Sequence, residues 1–62
     1  MQAFPIGSLV RYVDNPDRVR LVDNVVHDGF PEYKCSYGLV NPDDGKGGQS
    51  WIRENQLEAV KP

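Results

Sequence analysis

The chain has 62 residues, 39% apolar and 26% charged, with a formal net charge of −2 and a pI near 5.1. That length holds one domain with a modest core, and the even spread of Val, Ile, Leu and aromatic residues excludes a disordered tail. The acidic balance argues against a dedicated nucleic-acid binder, whose affinity rests on excess Lys and Arg, and no apolar run approaches the length of a membrane-spanning helix.

A domain this small needs a supplementary device for stability. One Cys and one His do not make a zinc site within one chain, and Cys35 has no disulfide partner. Self-association remains, so a homo-oligomer is among the expectations; no metal and no cofactor is expected. The lone cysteine and the lack of a basic segment followed by a long apolar core at the start point to the cytoplasm.

In chain order, residues 1–6 read as an arm anchored by Phe4-Pro5, residues 7–60 as one domain and residues 61–62 as a tail. Ser8 to Val13 is rich in β-forming residues, with Leu9, Arg11 and Val13 on one face and Val10 and Tyr12 on the other. Asn15-Pro16-Asp17 is strong turn chemistry. Arg18 to His27 reads as one long strand. Its apolar residues sit on one parity through Val19 and Leu21, and the parity switches near Asp23-Asn24. One extra residue flips every later side chain, so a β-bulge or bend is expected there. Asp28-Gly29-Phe30-Pro31 is the next turn. Glu32 to Val40 alternates cleanly, with Tyr33, Cys35, Tyr37 and Leu39 on one face. Asn41 to Gly48 is a Gly-rich polar loop. Gln49 to Arg53 is a fourth strand around the single tryptophan, Glu54-Asn55-Gln56 suits one 3₁₀ turn, and Leu57 to Val60 is a fifth strand. The expected core is Val10, Val19, Leu21, Val25, Tyr33, Cys35, Leu39, Ile52, Leu57 and Val60.

Five short strands, a long bent second strand and a single tight turn before the last strand resemble the SH3-like small β-barrels. The resemblance rests on Gly7-Ser8-Leu9-Val10 at the opening, Tyr33 in the third strand, Trp51-Ile52 in the fourth and Gln56-Leu57-Glu58 at the close. It implies an all-β, five-stranded SH3-like barrel over nearly the whole chain. It leaves function open, because such barrels bind peptides, methylated lysines or RNA and also build enzymes.

Several constellations are candidates. Tudor-type barrels cage a methylated ammonium between aromatic rings, for which Tyr12, Phe30, Tyr33, Tyr37 and Trp51 are available; the same rings would equally fill a small core. The Ala-Leu-Tyr-Asp-Tyr type motif of polyproline-binding SH3 domains is not matched by Val10-Arg11-Tyr12-Val13-Asp14. In length and layout the chain is similar to the plasmid-borne type II dihydrofolate reductase family, a tetramer around one pore. That likeness lies in Gly7-Ser8-Leu9-Val10-Arg11 and Leu57-Glu58-Ala59-Val60. The family's pore motif Val-Gln-Ile-Tyr falls on Gln49-Ser50-Trp51-Ile52, so its ligand-contacting Gln and Tyr become Ser50 and Ile52, with Gln49 one position out of register. His27 and Cys35 are a candidate nucleophile–base pair, and nothing in their spacing forces them together. Asp43-Asp44-Gly45 lacks the alternating acids of a calcium loop. Arg11, Arg18 and Arg20 would form a basic face if the first two strands pair, with Asp14, Asp17 and Asp23 interleaved to form ion pairs instead.

The function expected is a non-catalytic module that binds a protein partner, or itself, through Tyr12, Phe30, Tyr37, Gln49, Ser50 and Trp51 and the Gly-rich loop at Asn41 to Gly48. A nucleic-acid-binding barrel using Arg11, Arg18 and Arg20 is the alternative, and an oligomeric pore enzyme is the third.

Overall fold

Five runs of β-forming residues pair in the computed structural model of the chain, which describes residues 4–27 and 35–60. The strands are β1 (Leu9–Tyr12), β2 (Val19–His27), β3 (Cys35–Val40), β4 (Gln49–Arg53) and β5 (Leu57–Ala59). The 3₁₀ turn Glu54–Gln56 joins the last two. All pairings are antiparallel, in the order β4-β3-β2-β1-β5. The all-β expectation and the 3₁₀ turn are both met. The expected turn at Asp28-Gly29, together with Phe30 and Tyr33, lies outside the described residues. No helix among those described is long and apolar enough to cross a membrane.

The bend expected near Asp23-Asn24 is present. Val22 pairs with Leu39 and Asn24 with Gly38, so Asp23 is one residue too many for the ladder. β2 is shared between two partners, with the changeover at Leu21, just before the bulge. Residues 19–21 pair with β1 and residues 21–27 with β3. A strand that bends at a bulge and changes partners forms a corner between two packed layers.

The sheet therefore curls. Five strands laid flat would hold their outer members about 19 Å apart, yet β4 and β5 are connected by three residues in a 3₁₀ turn, which rises only about 6 Å. The Tyr12 hydroxyl of β1 donates to Gln49 Oε1 of β4 at the surface, linking two strands that are three places apart in the sheet order. No ladder joins β4 to β5 among the described residues, so the sheet is curled but not closed.

The core holds Phe4, Val10, Val22, Cys35, Tyr37, Leu39 and Leu57, with Tyr12, Val25 and Ile52 packed against it. This corrects the expected core. Val19, Leu21 and Val60 are only half-buried, and Val22 takes the interior place. Leu21 pairs with Leu9, and Val10, the neighbour of Leu9, is the fully buried residue. The apolar parity does switch at the bulge, but in the opposite sense: Val22 faces inward before it and Val25 after it. Tyr37 is also interior. Its hydroxyl accepts from the Phe4 N–H at 3.3 Å and donates to Glu54 Oε1 at 2.7 Å.

Candidate functional site

A second irregularity lies on the far side of β3. Tyr37 pairs with Ile52 and Leu39 with Gln49, so Gly38 alone faces both Ser50 and Trp51. Gly38 thus has a bulge on each flank, one from β2 and one from β4. A side chain there would crowd β2, because a Cβ on Gly38 would stand 3.2 Å from Asn24 Cβ. Trp51 absorbs the β4 bulge with a φ of 64°, the one positive φ among the described non-glycine residues. Left-handed backbone is costly for any residue with a Cβ and is a genuine outlier for a bulky one. The ring is nevertheless half in solvent, at 50% exposure, so burial of the indole does not explain the conformation. Backbone strain of this kind gathers where a surface is shaped for contact.

Trp51 walls a cleft of about 100 Å³ together with Asp23, Asn24, Val40 and Gln49. Val40 links this cleft to an apolar row on the outer face of the sheet. Leu9 pairs with Leu21 and Leu21 with Val40, while the Val60 N–H donates to the Leu9 carbonyl at 3.2 Å. Val60, Leu9, Leu21 and Val40 therefore cross the sheet in one line, opposite the core side. Leu9 is 41% exposed.

The other candidates gather at a different place. Tyr12, fixed by Gln49, lies under the Arg18 guanidinium, whose carbon is 5.3 Å from the ring centroid. Arg18 and Arg20 line a shallow groove of about 460 Å³ between the β1–β2 turn and the β3–β4 loop, opposite Asn41, Pro42 and Asp43. Arg11 does not join them. It points to the outer face and binds Glu58 on β5, Nη2 to Oε2 at 3.0 Å. The expected basic face is thus two arginines rather than three. The ion pairs expected of these arginines with Asp14, Asp17 and Asp23 do not form; Arg11 pairs with Glu58 instead.

The chain matches no family model, no curated protein and no solved structure. The site must therefore be read from its own geometry.

That geometry sorts the candidate residues. Gln49 touches both places, as the Tyr12 acceptor and as a wall of the Trp51 cleft. Tyr37 has no exposed surface, so it is structural and unavailable to a ligand or a cage. Phe30 and the Ser50 side chain lie outside what is described. Within the Asn41–Gly48 loop, Asn41 Oδ1 accepts from the Asp43 N–H at 2.8 Å, and Asp44 Oδ1 from the Lys46 N–H at 2.9 Å, so these two side chains are engaged by the loop itself. No cluster of three metal-ligating side chains forms among the described residues.

The strand register brings together one pair whose sequence spacing does not force contact. His27 and Cys35 are direct cross-strand partners at the end of β2 and β3, with Sγ 3.4 Å from Nδ1. A reactive thiol must meet its substrate, and Cys35 is 0% exposed. The contact is a structural one at the strand ends. Eight residues separate the two in sequence, and only the hairpin register places them opposite each other.

Proposed function

We propose that the chain is a non-catalytic protein-interaction module, built as a small barrel of the SH3-like kind, that docks a protein partner on its outer face with Trp51 as the anchor. The observation that carries this reading is Trp51 itself: a large aromatic held half-exposed at a φ of 64° on a bulge. Half-exposed tryptophans are the residues that most often dominate protein interfaces, because one rigid ring buries a large area at little entropic cost. The apolar row ending at Val40 extends the same surface and supplies the area around the anchor. The barrel reading is supported by the strand order, by the bulged second strand and by the short connection between the two outer strands.

A binding role also suits the chemistry that is present. The thiol of the Cys35–His27 pair is out of reach of substrate. The nucleic-acid alternative is weakened by the placement of Arg11 away from Arg18 and Arg20, since each lost phosphate contact lowers both affinity and salt dependence.

The test is affinity capture with wild-type and Trp51→Ala baits, washed at low and at high salt. A protein held by the wild type at both salt concentrations and released by Trp51→Ala supports the proposal. Equal capture by both baits would remove Trp51 from the interface. A partner lost on raising salt, with nucleic acid in the eluate, would favour the alternative. Trp51 is the only tryptophan, so a blue shift of its emission on adding the purified partner reports the same event directly.

A further inference from the structure

The groove beside the first residues of β2 shares no lining residue with the Trp51 cleft at the middle of that strand, and its chemistry is different. It has about 460 Å³ of open volume, within the range of sites that take small molecules. Two guanidinium groups line it, and neither Arg18 nor Arg20 forms an ion pair among the described residues. Both are held in place before any ligand arrives. Arg18 rests on the face of Tyr12, whose hydroxyl is tied to Gln49. Arg20 donates from Nη1 to the Val19 carbonyl at 2.8 Å, which fixes the fork and leaves its other N–H groups available. Pre-oriented guanidinium groups lose little freedom on gripping an anion, and their fork geometry matches a carboxylate or a phosphate.

We infer that this groove binds a single oxyanion, a carboxylate or phosphate group on a small ligand, gripped between Arg18 and Arg20. Asp17 and Asp43 also line the groove, so its formal charge is zero. A polyanion would meet as much repulsion as attraction there, whereas one compact anion can sit against the two arginines without engaging the acids. Arg11 provides an internal reference, being already paired with Glu58 on the outer face.

The experiment is a titration of the intact chain with inorganic phosphate and with acetate, at constant ionic strength and pH 7, following the arginine Nε–Hε resonances by NMR. Saturable shifts at Arg18 and Arg20, with Arg11 unmoved, are expected. Tighter binding of phosphate assigns a phosphate-bearing ligand, and tighter binding of acetate a carboxylate. Arg18→Ala and Arg20→Gln should each weaken binding at least about tenfold, the loss of a charge-assisted hydrogen-bonding group. Asp43→Asn should tighten it, and Trp51→Ala should leave it unchanged, which separates this site from the docking surface. Arg18 is exposed, so its variant remains informative if Arg20→Gln does not fold. Shifts that never saturate, or that appear equally at Arg11, would overturn the inference.

Discussion

Trp51 and Cys35 are opposite cases at the scale of single residues, one kept out where it costs energy and one sealed in where it could have reacted. The left-handed backbone at Trp51 costs an L-residue roughly 1–2 kcal/mol, a penalty glycine does not pay. Glycine gives back part of that through the greater freedom of its unfolded chain, about 0.5–1 kcal/mol. Trp51→Gly should therefore unfold in urea within about 1 kcal/mol of the wild type, even though an entire indole is gone. Trp51→Val should fall clearly below Trp51→Gly, because a β-branched residue fits φ of 64° least well. Circular dichroism is the probe, as both variants lack the fluorophore. A valine variant more stable than the glycine variant would mean that the backbone at position 51 is not left-handed. For Cys35, burial at 0% exposure makes the folded thiol inert toward a bulky maleimide, while labelling should be complete in denaturing urea. Rapid labelling of the native chain would show that the end of β3 opens. The burial of Cys35 was legible in its alternating strand, whereas the backbone of Trp51 and the contact of Cys35 with His27 were not. Trp51 lies in a run that reads as an ordinary strand, and a cross-strand contact between residues eight apart depends on a register that the spacing leaves open.

Among the elements, β3 is the strand around which the irregularities are arranged. It is buried from Cys35 to Leu39 on both parities, where the sequence suggested a half-buried strand with Ser36 and Gly38 facing water. The reason is size: small residues at 36 and 38 let the bulged flanking strands close over them. Gly38→Ala should cost about 1–3 kcal/mol, the usual range for overpacking, since its Cβ would stand 3.2 Å from Asn24 Cβ. Because the opposing atom is a Cβ, Asn24→Ala cannot relieve the contact and Asn24→Gly can. The double variant Gly38→Ala/Asn24→Gly should thus show a favourable coupling in a double-mutant cycle. Additive losses would place the strain elsewhere. The β2 bulge could be foreseen, because one extra residue leaves a visible switch in the apolar parity. Which half of β2 faces inward could not, because Val19 and Leu21 compete with Val22 and Val26 as equally apolar sets. The β4 bulge left no trace: Ser50-Trp51-Ile52 is too short for a parity to be read.

At the scale of the whole molecule, the buried core, seven residues among those described, and an outer apolar row divide the work between stability and binding. The two surfaces meet on β1, where Val10 is 0% and Leu9 41% exposed. Their neighbours confirm the division: Val10 shares its side with the interior Leu57 and Tyr12 of the same register, while Leu9 lies in line with Leu21 and Val40. Adjacent substitutions should therefore have unlike effects. Val10→Ala empties core volume and should cost about 2 kcal/mol, a large share of the marginal stability of so small a domain. Leu9→Lys keeps most of its stem on the surface with the charge in water and should change stability by less than about 1 kcal/mol. Partner capture should follow the reverse order, with Leu9→Lys impaired alongside Trp51→Ala and Val10→Ala retained wherever it is folded. Light scattering on the same variants identifies the partner class. If the wild type alone self-associates and Leu9→Lys is a monomer, the protein that covers the row is a second copy of this chain. If all are monomers and capture still depends on Leu9, the row belongs to a different protein. If Leu9→Lys unfolds while Val10→Ala does not, the faces of β1 are inverted, and the docking surface proposed here would be the core.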